Sequence, residues 1–254
     1  MKLKETFERL LAKNEMALVT YHTAGFPSLK ESVSNIRRLS ENGADIIEIG
    51  IPFSDPIADG PTIQMSSQAA LGKGVSLTRI LEAVSGVDTE TPLVAMSYLN
   101  PLLAYGSKRL FASMKSAGFT GLIIPDLPLE ESGSWMREAG THDIDLIFLV
   151  TPTTSDERMK RLTEASRGFI YCVSLTGITG ARSELPPHLA EFIGRVKSCS
   201  DKPAAVGFGI STPAHIRRLK GIADGVIIGS RIVKAMAEGE NVEKLVRELK
   251  EAMR

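Results

Sequence analysis

Two carboxylates, Glu48 and Asp59, stand close together in a stretch whose composition changes half-way. Residues 45–64 read DIIEIGIPFSDPIADGPTIQ. Glu48 lies inside a short apolar run, and Asp59 lies among Pro52, Asp55, Pro56, Gly60 and Pro61. A carboxylate in apolar surroundings is costly unless it is neutralised or paired. Two carboxyls in unlike environments are a general acid–base set. The ordinary alternative for Glu48 is an ion pair or a loop cap.

Glycine-bearing segments add a second chemistry. They are 177–180, Gly207-Phe208-Gly209 and Gly229-Ser230. Glycine lets backbone N–H groups approach an anion closely, and a following helix start adds its positive end. These segments read as a phosphate site, the alternative being tight turns alone. A Schiff-base mechanism wants a lysine at a strand end. The strand ends here read Tyr21, Glu48, Tyr98, Asp126, Thr151, Ser174, Gly207 and Gly229. The histidines His22, His142, His188 and His215 are scattered rather than clustered for a metal. Cys172 falls mid-strand, where a thiol is packing. What remains is acid–base chemistry on a phosphorylated metabolite.

The elements that must hold these residues alternate strictly. Strand-like runs cover 16–21, a run ending near Gly50, 92–96, 121–126, 145–150, 168–174, 203–206 and 224–228. Helical patterns cover the first fifteen or so residues, with Leu3, Phe7, Leu10 and Leu11 as a stripe. Others cover 28–42 with Ser28 as N-cap, 61–86 broken near Gly72 and Gly74, 107–117, 130–139, 155–165, 187–197 and 212–219. Two more finish the chain, with Val242, Leu245, Val246 and Leu249 on one face. Asn100 and Pro101 are expected to end a strand, and residues 175–187 form a long loop. About eight βα units predict parallel strands with helical crossovers, as a single (β/α)8 barrel domain over 1–254 with an extra N-terminal helix. A doubly wound open sheet is the competitor, but no GxGxxG follows the first strand. In a barrel, Glu48 falls at the carboxyl end of a strand and Asp59 in the loop that follows, where active sites form. Alternation along the strand puts Ile46 and Glu48 on one face and Ile47 and Ile49 on the other.

Composition bounds the partners. The 254 residues are 43% hydrophobic and carry a formal net charge of 0. Nothing there suggests nucleic acid or a membrane surface. Two cysteines without CxxC spacing fit a reducing, cytoplasmic setting, and no signal-peptide core is apparent.

At this point EIGIPFSDPIADGPTIQ resembles the signature of the tryptophan synthase α subunit family. The resemblance extends over essentially the whole chain, through VTYHTAGFP, MSYLNPLLAYG, IIPDLPLEES, YCVSLTGITGAR, VGFGIST and IIGSRIVK. It implies cleavage of indole-3-glycerol phosphate to indole and glyceraldehyde 3-phosphate, without a cofactor in this chain. By match of motif, Glu48, Asp59 and Tyr171 fall on catalytic positions. Gly180, Gly207, Gly209, Gly229 and Ser230 fall on phosphate-binding positions. Tyr21, Met96 and Tyr98 fall on the indole pocket, Tyr21 and Met96 standing where the family often has Phe and Leu. Thr179 falls on a lid residue that meets the catalytic aspartate. Leu175-Thr176 replaces a frequent Arg-Ser pair, so no role of that arginine carries over. The resemblance also implies an αββα heterotetramer whose β subunit holds pyridoxal phosphate (PLP) and receives indole through a tunnel. Pro52, Asp55, Pro56, Asn100 and residues 126–128 would face that partner. Burial is expected to raise the pKa of Glu48, while Asp59, nearer solvent, stays ionised. The competing readings are a stand-alone lyase, a noncatalytic activator of a β chain, and a phosphate-binding barrel isomerase.

Overall fold

The computed structural model describes residues 2–174, 185, 188–207 and 209–254. In chain order its elements are α1 (Leu3–Leu11), β1 (Ala17–Thr23), α2 (Leu29–Glu41), β2 (Ile46–Gly50), α3 (Pro61–Leu71), α4 (Leu77–Val84), β3 (Leu93–Met96), α5 (Leu99–Tyr105) and α6 (Ser107–Ser116). There follow β4 (Phe119–Ile123), a 3-10 turn at Leu129–Glu131, α7 (Gly133–Thr141), β5 (Asp145–Ile147), β6 (Leu149–Val150), α8 (Asp156–Ala165) and β7 (Ile170–Val173). The last are α9 (Leu189–Cys199), β8 (Ala204–Gly207), α10 (Pro213–Leu219), β9 (Gly225–Ile228), α11 (Ser230–Glu238) and α12 (Val242–Glu251).

All strand pairs are parallel, in the order β5-β4-β3-β2-β1-β9-β8-β7-β6. The two ends of that order are consecutive in the chain, separated only by Phe148. β5 pairs with β4, and β6 pairs with β7. Chain continuity through Phe148 therefore closes a ring of eight staves, the expected (β/α)8 barrel. The break has a local cause. The Phe148 N–H donates to the Ser166 side chain at 3.1 Å rather than to a neighbouring strand, and the Phe148 carbonyl accepts from Tyr171 N at 3.1 Å.

The alternation of side chains sorts the core into two layers. Ile46 joins the barrel interior with Val19, Val94, Ile123, Ile147, Ala205 and Ile227. Ile47 and Ile49 join the layer between sheet and helices, with Leu18, Ile36 and Leu39. The parity expected along β2 is what the structure shows, and it leaves Glu48 on the inner face, 1% exposed. The barrel floor is α1: Leu3, Phe7 and Leu10 are buried with the interior group. Room for them comes from residues without a side chain. A Cβ on Gly121 would meet Leu3 at 3.0 Å, and one on Gly225 would meet Phe7 at 3.1 Å. Leu11, expected on the same stripe, is instead 45% exposed. On a helix it falls one residue past Leu10, about 100° round from it.

Other departures are local. Asn100 and Pro101 do not end a strand; they lie in the first turn of α5, where a missing N–H costs nothing. The helix expected from 130 begins as a 3-10 turn and becomes α-helical only at Gly133. The caps behave as their residue types require. Ser28, Ser76, Ser155, Thr212 and Asn241 each accept the backbone N–H three residues on. No helix among the described residues is long and apolar enough to cross a membrane.

Candidate active site

Parallel strands end together at one rim, and a pocket opens there. β1 gives Tyr21, β2 gives Glu48, β3 gives Met96 and β7 gives Tyr171. The loop after β2 gives Asp59, and Gly209, Gly229 and Ser230 come from the far side. Register explains part of this convergence. Tyr21 is the cross-strand partner of Glu48, and Thr23 that of Gly50.

Glu48 is the most unusual group in the pocket. Neither carboxyl oxygen has a hydrogen-bond partner among the described residues. Burial, and then the negative charge of Asp59, push its pKa up to about 8. Asp59 is half-buried, and desolvation raises its pKa to about 6, a hydrogen bond from Tyr98 working against that rise. The expectation of an ordinary ionised Asp59 is thus adjusted. Its carboxyl titrates upward too, but below Glu48, so near neutral pH one carboxyl keeps its proton and the other is charged. The two sites interact, so their titrations belong to the pair.

The tyrosines differ in placement. Tyr171 is buried in the pocket wall, and burial followed by Glu48 raises its pKa. Tyr21 lies across β2, so close that a Cβ on Gly50 would fall 2.0 Å from its hydroxyl. Tyr98 does not line the pocket. It stacks on Phe53 with ring centroids 5.4 Å apart, and its hydroxyl accepts the Ala58 N–H at 2.9 Å. It braces the Asp59 loop from behind. Asp126 in turn accepts from Leu99 N at 2.8 Å, which fixes the start of α5.

The glycines serve two purposes. Gly209 has φ +82°, a conformation side chains rarely adopt, and it lines the pocket with Gly229 and Ser230 at the start of α11. Gly207 does not reach the lining. A Cβ there would lie 2.6 Å from the Tyr171 hydroxyl, so its smallness makes room for that ring. A Cβ on Gly229 would meet Tyr21 at 3.2 Å. Thr179 and Gly180, with residues 175–184, lie outside the described residues. Sequence reasoning missed three lining residues, Ile63, Ile210 and Ile227. Ile227 was within reach: on β9, as on β2, alternate residues face inward. Ile63, in the first turn of α3, and Ile210, just after Gly209, carried no such signal.

The sequence matches a family model, the tryptophan synthase alpha chain, over residues 7–254. It is 44% identical over 251 residues to the tryptophan synthase alpha chain of Thermoanaerobacter pseudethanolicus, covering 98% of this chain and 95% of that one. It is 42% identical over 250 residues to the alpha chain of Arabidopsis thaliana, covering 97% and 91%. The fold is similar to a structure of Mycobacterium tuberculosis tryptophan synthase, with TM-score 0.93, 40% identity and coverage of 99% and 98%. It is also similar to the tryptophan synthase alpha chain of Legionella pneumophila, with TM-score 0.90, 34% identity and coverage of 100% and 97%. The chain thus agrees with these relatives in sequence and in fold along nearly its whole length, and it belongs to the tryptophan synthase alpha chain family.

Proposed function

We propose that this chain is a carbon–carbon lyase of tryptophan synthesis that cleaves indole-3-glycerol phosphate to indole and glyceraldehyde 3-phosphate. The observation that carries the reading is the pair of unlike carboxyls in one pocket, Glu48 enclosed and Asp59 half-exposed. Glu48, holding its proton near neutral pH, delivers it to indole C3. Positive charge then develops at the ring nitrogen, and the Asp59 carboxylate accepts the indole N–H and stabilises that charge. The Glu48 carboxylate next takes the proton of the side-chain hydroxyl beside C3. The O–H pair becomes the carbonyl π bond, the C–C bond breaks, and its electrons restore the indole ring. Glu48 ends as it began, protonated.

The supporting pocket has matching parts. Met96, Ile63 and Ile227 give an apolar floor for indole. Gly209, Gly229 and Ser230, with the first turn of α11, supply backbone N–H groups for the phosphate. Tyr171 closes the wall beside Glu48. The family has no cofactor of its own. A β chain partner that carries PLP and takes up indole completes the reading, assembled as αββα in the cytoplasm.

The test is indole release from indole-3-glycerol phosphate, measured with and without a β chain. Release that rises on adding the β chain is expected, and Glu48→Gln should abolish turnover while substrate still binds. High turnover alone would instead favour a stand-alone lyase. No release in either condition, or turnover retained by Glu48→Gln, sinks the proposal.

A further inference from the structure

The loop that carries Asp59 is held mainly by side chains. β2 ends at Gly50 and α3 begins at Pro61. The Ile51 N–H donates to the Met96 carbonyl at 2.8 Å, and past it no backbone–backbone bond holds residues 52–59 among the described residues. The Tyr98 hydroxyl accepts from Ala58 N at 2.9 Å, and the Tyr98 ring stacks on Phe53. Amides hold the two ends of the segment 54–59. Gln64 Nε2 donates to the Asp59 carbonyl at 2.8 Å, and Gln68 Nε2 donates to the Ser54 carbonyl at 3.3 Å. These are the only glutamines in the chain. They stand four apart on α3, and residues four apart share one face of a helix. The segment therefore runs back along α3, with Ser54 beside Gln68 and Asp59 beside Gln64.

α3 is itself fixed from its other side. Its buried residues are Ile63, Ser66, Ser67 and Ala70, and Ile63 lines the pocket. Ser66 Oγ lies 2.6 Å from Thr23 Oγ1 of β1, and the two residues are 0% and 1% exposed, so water does not compete for that bond. The glutamines are exposed, and bonds open to water add little to stability. Such bonds can still select a position. We propose that Gln64 and Gln68 are positioning residues for Asp59, holding both ends of its loop on a helix anchored to the barrel so that the carboxyl stays at the pocket. The proposal rests on the reading of Asp59 as acceptor of the indole N–H. A loop released from α3 lets that carboxyl drift toward water and takes its charge away from the ring nitrogen. The titratable groups that face Asp59 are Glu48 from β2, Tyr21 from β1, Tyr171 from β7 and Tyr98 from the turn before α5. α3 carries no charged residue, so its hold on the loop is through neutral groups alone.

Gln64→Met keeps the length of the side chain, removes the donor and changes no charge. Carboxyl titration by carbon-13 NMR on the full chain, with the Asp59 signal assigned by Asp59→Asn, should show its midpoint fall from about 6 by about one pH unit, because a carboxyl that regains water loses the desolvation that raised it. kcat for indole release should fall about tenfold, while KM, to which the untouched phosphate turns contribute, changes little. Gln68→Met should act in the same direction but less, its bond being longer and farther from Asp59. The two together should exceed either alone. Tm should hardly change, because neither side chain is buried. A purely structural role would lower Tm and leave the Asp59 midpoint in place. That result overturns the proposal, as does an unmoved or raised midpoint in the folded double variant, or a lowered midpoint with kcat intact. Should the double variant not fold, Gln64→Met decides alone. Indole release by the unsubstituted chain is read separately. Its absence defeats the proposed reaction, whereas an unmoved midpoint with release intact defeats only the role given to the glutamines.

Discussion

Glu48 works against the stability of the protein that needs it. Its folded-state pKa of about 8 lies above the ordinary carboxyl value of 4.5. Between those two pH values the unfolded chain has lost the proton and the folded chain keeps it, so folding becomes less favourable as pH rises through that window. Glu48→Gln, which is neutral at every pH, should therefore raise Tm at pH 8 by an amount equivalent to a few kcal/mol at most, and by little at pH 4. Thermal melts at the two pH values check this, and an equal effect at both would contradict it. Tyr98 permits a second expectation. Its hydrogen bond lowers the Asp59 pKa against desolvation. In Tyr98→Phe the acid limb of kcat/KM for indole release should move upward from about pH 6, with the basic limb in place. Glu48 was legible in the sequence because a carboxylate inside an apolar run is chemically conspicuous, and Asp59 by its place in the loop that follows and the motif around it. The stacking of Tyr98 on Phe53 was not, because the packing of a ring across a loop leaves no periodic trace.

Elements place those residues through close approach. β1 and β2 can hold Tyr21 beside Glu48 only because Gly50 has no side chain under the phenol. Gly50→Ala should cost about 1–3 kcal/mol by overpacking and disrupt the pocket before the barrel. Combined with Tyr21→Ala, which vacates the space, much of the lost Tm should return. Additive losses in a double-mutant cycle would show that the contact is not the cause. Strand and helix alternation was readable from hydrophobic period, and so was the inward parity of Glu48. The start of α5 at Leu99 was hidden by Asn100 and Pro101, residues that serve a turn and a first helical turn equally well. The break at Phe148 was hidden too, because the competing acceptor, Ser166, lies far along the chain.

At the scale of the molecule, the catalytic rim carries apolar surface that the chain itself does not cover. Ile57, between the two carboxylates in sequence, is 81% exposed, and Leu103 on α5 is 56% exposed. Membership of the family implies a β chain partner, and Ile57 adjoins Ala58, which Tyr98 holds. Ile57→Asp should weaken activation by a β chain by about tenfold in affinity, with indole release by the isolated chain little changed. A titration of activity against β chain concentration reads both quantities. The ring itself has one weak stave. At Phe148 the ladder is interrupted, the N–H going to the Ser166 hydroxyl while the carbonyl still accepts from Tyr171 N, so the cylinder possesses a seam. A vessel parts along its seam. Deuterium should enter the amides of Phe148 and Tyr171 before those of β1 and β2, and sooner still in Ser166→Ala. Uniform exchange around the barrel would show that the joint is as firm as the rest. If the seam does open first, the leading portion with both carboxylates and the trailing portion with the glycine turns remain joined only along β1 and β9, and the pocket between them is lost before the strands themselves are.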